Sequence, residues 1–520
     1  MILKLKNGFV PFLNKQILAV DTKRVTLDRV MTNLFMLIYA DGAPVRLKKS
    51  NGFTVESIMQ DIVPHLEEEG RMVGAMEHPD AIEDWLRSSL LNFVNRGNML
   101  KENIASLSPF HLLSYRIQNK KYCRDYLTSD QLYLMLRTSP DVLDGLRRYL
   151  GVGWDFKKKG IVPADVSDVD TAGVLQLTSR LHETLSTNTT LNTIEPLLKG
   201  QTALFTDDVR RLLAYKDVLP RMVFIDYFRI LCGMHLALYT MKVIHLLPKM
   251  VAACTTEVED DWSLTVDLTD NLESRFSHIA CQDMERVLNE CRSYVRATYT
   301  INIVAQKCIA DRDAPIKDVL ETLKKGICQD GIKGELLKIR NEGLKDKNDK
   351  EFDQADFDDL LFYYDKDDYL GKYVHVLESS NLGCSQYRYL REFLDAVAMK
   401  NSPSKLMADG RSRRHPRRGA MGSKLLETLV QILVLRPNPD GKTYQSRSLS
   451  IDELAQAIRH RYGLIINGST EPRFANADVG AHAAFAENME AFRSKLRHTG
   501  FYTDLSDSSI LQKIRPRYKL

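Results

Sequence analysis

The segment Met222–Leu247 constrains this chain more than any other. It is the most apolar stretch, and Asp226, Arg229, His235 and Lys242 interrupt it. Each fixed charge at the centre of a bilayer would cost about 2.5–3.5 kcal/mol on insertion scales. The segment therefore reads as a core helix, ending before Pro248, around which a large helical body must be built. Asp226 and Arg229 stand three apart and can pair on that helix. His235 and His245 read as core histidines with their hydrogen bonds satisfied.

The 520 residues contain 44% hydrophobic and 27% charged residues, an ordinary globular balance that excludes a disordered or collagen-like chain. Eight cysteines, none in a CxxC pair, fit reduced buried thiols and give no zinc spacing. Met1-Ile-Leu-Lys-Leu-Lys lacks the apolar core of a signal peptide, so a cytoplasmic protein with no membrane partner is expected.

The expected fold class is mainly α. A small α/β N-terminal region takes residues 1–75 and a helical body 76–340. An acidic helical segment takes 341–400, a basic linker 401–422 and a winged-helix-like α+β domain 423–520. In the first region, Ile2–Leu5 and Gln16–Val20 look like short strands, and Pro64 kinks or breaks a helix opened by Thr54. The acidic segment runs through Asp353, Asp356, Asp358, Asp359, Asp365, Asp367 and Asp368. It reads as a solvated linker entering an amphipathic helix, since it lacks the glycine and glutamate positions of a calcium loop.

The clearest boundary is Asn401–Gly422, rich in Pro, Gly and Ser, with Arg411, Arg413, Arg414, Arg417 and Arg418 nearly contiguous. Such a stretch is expected to be a flexible basic arm. Beyond it, Ser423–Leu435 is an apolar-rich helix and Asn438-Pro-Asp-Gly441 a turn. Ser450-Ile-Asp-Glu453 is a capping box opening a second helix with Leu454, Ile458 and Tyr462 inward and Gly463 as its stop. Phe485–His498 is a third helix, with Phe485, Met489, Phe492 and Leu496 inward. Glu487 and Glu490 then face outward, with Arg493, Lys495 and Arg497 on the flanks. Phe501–Leu505 and Ile510–Lys519 complete a hairpin, which gives the order of a winged helix.

In the last strand Lys513, Arg515, Arg517 and Lys519 alternate with Ile514, Pro516, Tyr518 and Leu520. Same-face charges would repeat at roughly 6.6 Å, close to the spacing of phosphates along a nucleic-acid strand. From Lys400 onward there are 21 Lys and Arg against 11 Asp and Glu, an excess of ten positive charges. Since the whole chain carries +4, the remainder sums to about −6. This asymmetry points to a polyanion, DNA, as the partner of the C-terminal quarter.

Catalytic signatures are weak. Gly419-Ala-Met-Gly-Ser-Lys424 lacks the spacing of a phosphate loop. Asp21-Thr-Lys23 and Glu335 supply only fragments of a metal-dependent nuclease motif. No catalytic residue, metal ligand or cofactor is assigned. The layout of a long helical body, the arginines Arg411–Arg418 and the closing Ile514-Arg-Pro-Arg-Tyr518 resembles accessory components of bacterial methylation-associated anti-phage defence systems. That resemblance implies work beside a DNA methyltransferase and other defence proteins, as a DNA-binding or scaffolding subunit. The expectation is a non-enzymatic accessory protein contacting DNA or a DNA-bound partner. A protein-only scaffold and a divergent metal-dependent nuclease are the alternatives.

Overall fold

The computed structural model describes residues 10–47, 52–98, 100–162, 168–181, 183–185, 190–326, 329–343, 354–399, 401–412, 414–441, 443–502 and 513–520. Helix accounts for 56% and strand for 8%, so the chain is mainly α as expected. Eight of the described helices frame the candidate site: α1 (Leu27–Tyr39), α2 (Lys199–Ala214), α3 (Arg221–Ala253), α4 (Arg275–Val304), α5 (Asn381–Ala398), α6 (Ser423–Leu433), α7 (Ile451–Tyr462) and α8 (Val479–His498). The strands are short and paired in twos. Six of them bear on the site: β1 (Leu264–Thr265), β2 (Met407–Ala408), β3 (Arg418–Gly419), β4 (Leu435–Pro437), β5 (Tyr444–Ser446) and β6 (Leu464–Ile465).

Helix α3 is the axis of the molecule. Its most apolar 18-residue window is 94% buried, against α1, α2, α4, α5 and α6. It is also the one described helix long and apolar enough to cross a membrane. Its charges are matched within the protein. Arg229 pairs with Asp226 at 2.6 Å and Asp28 at 2.7 Å, and Lys242 with Asp260 at 2.7 Å. The helix does not stop before Pro248. It continues to Ala253, where Cys254 turns left-handed at φ 51° and its N–H closes onto Met250 and Val251. Proline forfeits one backbone hydrogen bond, but burial of Leu246, Leu247 and Met250 holds the flanking turns in place.

The N-terminal reading is corrected in one place. Ile2–Leu5 lies outside the described residues, and Gln16–Val20 is turn and coil, not strand. Ile17, Leu18, Ala19 and Val20 are nonetheless buried against the core, so apolarity there serves packing without a ladder. Helices Val55–Asp61 and Val63–Glu68 are separated at Ile62, beside Pro64, and Thr54 caps the first.

The C-terminal helices follow the expected order, with two differences. Helix α8 begins at Val479, because Asp478 accepts the Ala481 N–H at 2.8 Å and caps it six residues before Phe485. Residues 423–502 also share one continuous core with the body. Strand β6 pairs in parallel with β1 of the body, Leu464 opposite Leu264 and Ile465 opposite Thr265. The buried Asn488 of α8 locks this pair. Its side-chain oxygen accepts from the Leu268 N–H at 2.8 Å, and its amide donates to Val266 at 3.0 Å and Ile466 at 2.8 Å. Of the expected closing hairpin, residues 503–512 lie outside the described residues. Residues 513–520 are irregular, bend at Arg517–Tyr518 and make no ladder.

Candidate nucleic-acid interface

The arginine-rich segment 401–422 is folded. Strands β2 and β3 pair antiparallel, Met407 opposite Gly419 and Ala408 opposite Arg418. The Asp267 N–H donates to the Gly419 carbonyl at 2.9 Å, joining this pair to the stretch that also carries β1. A Cβ at Gly419 would collide with the Thr265 carbonyl oxygen, so only glycine admits this approach. The chain leaves β2 through Asp409 at φ 64° and Gly410 at φ 95°.

The five arginines therefore separate into different environments. Arg418 is 3% exposed, its Nε 2.7 Å from Asp267 Oδ2 and its Nη1 bonded to Asp409 Oδ2. Burial would lower its pKa, but the two carboxylates outweigh burial and hold it raised. Arg417 makes a fork with Asp395 at 2.9 and 2.5 Å. Neither has a guanidinium left for a phosphate. Arg411 is exposed with a long 3.4 Å contact to Asp409, and Arg414 is exposed with no side-chain partner among the described residues. Arg413 lies outside the described residues. Composition made these five look alike. What separates them is Asp267 and Asp395, which the fold brings in from distant positions.

On α8 the outward face carries exposed Glu487 and Glu490, as its periodicity predicts. Arg493 is bound to Glu490 at 2.5 Å. Lys495 is turned inward, donating to the Met421 carbonyl at 2.7 Å, and burial lowers its pKa. Arg497 is exposed. The helix thus presents a mixed, partly acidic face.

The closing segment is arranged differently. Lys513, Arg515, Arg517 and Lys519 are all exposed, while Ile514 is buried and Pro516 and Tyr518 are half-buried. Anchors on the inner side produce this alternation. The Ile514 N–H donates to Leu449 at 2.7 Å and the Arg515 N–H to Phe501 at 2.8 Å. Gln431 donates to the Tyr518 carbonyl at 2.6 Å, and the Leu520 N–H reaches Ser446 Oγ at 3.0 Å. Pro516 has no N–H to add, so these bonds are spread over several partners instead of one ladder. Arg517 is tied to Glu427 at 2.7 Å and stacks over the Phe501 ring at 5.5 Å. Lys513, Arg515 and Lys519 have no carboxylate partner among the described residues. A fixed backbone with uncommitted cations on one side suits a phosphate chain.

One polar cluster was not legible in the sequence. His235 and Asp208 are both fully buried, with Nε2 and Oδ2 2.9 Å apart. Gln201 Nε2 lies 2.9 Å from His235 Nδ1, so both ring nitrogens have polar neighbours. Burial lowers the His235 pKa. Asp208 would be raised by burial, but His235 and Arg461 hold it lowered. Arg461 and the Tyr462 hydroxyl close on the same carboxylate at 2.5 and 2.8 Å. With Asp208, His235 and Tyr462 all buried, the group pins α7 onto α2 and α3. His245 is likewise satisfied, by Glu290 at 3.0 Å and Asp261 at 2.9 Å.

The nuclease fragments are similarly committed. Asp21 pairs with Lys23 at 2.7 Å, and Glu335 with Lys307 at 3.3 Å and Lys338 at 3.2 Å. Among the described residues no group of three or more His, Cys, Asp or Glu is arranged to hold a metal ion.

Comparison with known proteins agrees with the resemblance drawn from the layout of the chain. No curated protein matches. A protein family does, over residues 10–518, which is nearly the whole length and includes the helical body, the folded arginine segment and the basic closing stretch. The chain belongs to the family described as methylation-associated defense system protein MAD7.

Proposed function

We propose that this chain is a non-enzymatic accessory subunit of its defence system, working in the cytoplasm and contacting the phosphates of DNA through the closing segment. The observation that carries this reading is the exposed row Lys513, Arg515, Arg517 and Lys519 on an anchored backbone, three of its four cations lacking a carboxylate partner among the described residues. Arg411 and Arg414 add exposed charge, whereas Arg417 and Arg418 do not. The order α6, β4–β5, α7, α8, with the Ser446 N–H donating to the Leu520 carbonyl at 3.3 Å, supports a winged-helix-like reading of this region. The exposed Glu487 and Glu490 argue against base reading by α8, so contact is with the backbone and independent of sequence. Family membership favours other defence components as protein partners, a DNA methyltransferase among them.

Fluorescence anisotropy with duplex DNA across a salt series tests this. Replacing Lys513, Arg515 and Lys519 by Ala should weaken all sequences alike. Without these three cations on the phosphates, the slope of log K against log salt should fall by about 2.7. Binding that matches wild type at every salt concentration would remove DNA from this surface. The protein-only scaffold, which the acidic outer face of α8 favours, would then take its place.

A further inference from the structure

A second basic feature lies away from the closing row, where α2, α3, the end of α6 with β4, and α7 converge. These elements enclose an open cleft of 640 Å³, within the range of about 300–1,000 Å³ typical of small-ligand sites. Its walls carry Arg211, Lys242, Arg436, Arg447, His460 and Arg461, against one carboxylate among the described lining residues, Asp260.

Three of these cations are already matched. Arg211 bonds Asp207 at 2.9 Å, Lys242 bonds Asp260 at 2.7 Å, and Arg461 reaches Asp207 and Asp208 at 2.5 Å. Arg436 and Arg447 have no carboxylate within ion-pair distance among the described residues. Arg436 is exposed on β4, opposite Gln445. Arg447 is held by its own backbone N–H, which donates to Val434 at 2.8 Å, and its Nε is buried without a hydrogen-bond partner. The charge of Glu453 acts on both arginines, but its carboxylate is taken by the Ser450 N–H at 2.7 Å as part of the helix cap. Burial, followed by the charge of Arg436, lowers the Arg447 pKa. Two guanidinium groups thus share one wall of the cleft, neither in an ion pair among the described residues.

We propose that this cleft is a phosphate-binding pocket in which Arg436 and Arg447 form the recognising pair and His460 also lines the wall. A carboxylate has two oxygens and satisfies one guanidinium fork. A terminal phosphate offers three non-bridging oxygens, and two successive backbone phosphodiesters offer four, so either can engage two forks at once, which fits two arginines without ion pairs on one wall. The phosphate comes either from a free nucleotide or from a nucleic-acid backbone. The pocket shares no residue with the closing row, so its test and that of the proposed function fail independently.

The test uses the full chain, Arg436→Gln and the double variant Arg436→Gln/Arg447→Gln. Pyrophosphate and ATP are titrated calorimetrically, and duplex DNA by anisotropy over a salt series. If the source is a nucleotide, both small probes bind wild type and bind the double variant at least about tenfold more weakly, the loss of a charge-assisted contact. If the source is a backbone, the small probes bind neither protein, while the double variant lowers the DNA salt slope by about 0.9 per phosphate released. The closing-row variant should lower it further and independently. Arg436 is exposed, so the single variant keeps the wild-type melting temperature and should show the same change in smaller degree. Pyrophosphate, ATP and DNA all behaving alike on wild type and variants would overturn the proposal.

Discussion

Replacing Arg418 by Ala tests whether residues 401–422 are part of the core or a tether. In a tether, an arginine among four others is solvated, and its loss changes stability by at most about 0.5 kcal/mol. In this structure Arg418 is 3% exposed, and the carboxylates it serves are Asp267 at 1% and Asp409 at 9%. Asp267 keeps two bonds after the substitution, from the Thr269 N–H at 2.9 Å and the Thr269 hydroxyl at 2.7 Å, both on Oδ1. Its Oδ2 loses the 2.7 Å bond to Arg418 Nε, and Asp409 loses its own bond. Removing one partner from a buried ion pair costs about 3–5 kcal/mol, because the charge left behind is neither hydrated nor matched. With about 2.1 cal/mol/K of unfolding entropy per residue, that is a fall in Tm of about 3–5 °C for a chain of this size. Urea unfolding followed by circular dichroism reads the loss, with Arg414→Ala as the exposed control expected to stay within about 0.5 kcal/mol. Adding Asp267→Asn to Arg418→Ala should recover part of the loss, since it removes the stranded charge. An Arg418→Ala protein as stable as the Arg414→Ala control, with trypsin cutting first inside 401–422, would refute the reasoning.

Asn488→Ala should destabilise by about 3 kcal/mol in the same urea assay, because three hydrogen bonds disappear and the Leu268 N–H is left buried. Gly419→Ala should also destabilise the fold, read as a lower Tm, since its methyl group would meet the Thr265 carbonyl. His245 gives a pH signature. Its hydrogen bond to Glu290, reinforced by Asp261, raises its pKa above 6.5 although burial opposes this. A raised folded-state pKa stabilises fully below the unfolded value and is lost as pH rises through the folded value. The stability advantage of wild type over His245→Gln should therefore be largest below pH 6.5 and shrink above it, as measured by urea midpoints across pH.

What could be read from the sequence was what short-range chemistry decides. The Ser450–Glu453 box forms, with Ser450 N–H to Glu453 at 2.7 Å and Glu453 N–H to Ser450 at 3.1 Å, and Gly463 stops the helix at φ 74°. The Asp226–Arg229 pair forms for the same reason, three residues apart on one helix. The four cations of 513–519 are exposed and alternate with the more buried Ile514, Pro516 and Tyr518, although the strand expected there is absent from residues 513–520. The features that escaped depend on distant partners. Arg418 meets Asp267 across 151 residues, and Asn488 meets Leu268 across 220. A two-residue strand such as β6 has no periodicity to detect, and its partner β1 lies in another part of the chain. Local composition made residues 401–422 look like a linker because the acids that neutralise it are elsewhere.

The enclosure of α3 has a consequence for synthesis. The helix is complete at Ala253, yet α6, whose Glu427 accepts from the Tyr227 hydroxyl at 2.7 Å, begins at Ser423. At about 5–20 residues per second, on the order of ten to thirty seconds pass before that cover exists. During this interval a helix with a window of mean hydropathy 1.5 has an uncovered flank. Asp226, Arg229 and Lys242 then matter in a second way. They make the nascent segment a poor substrate for membrane insertion, and Asp28, made long before, and Asp260, made soon after, are there to receive Arg229 and Lys242. The ion pairs of the finished core thus also guard the route by which the chain reaches it.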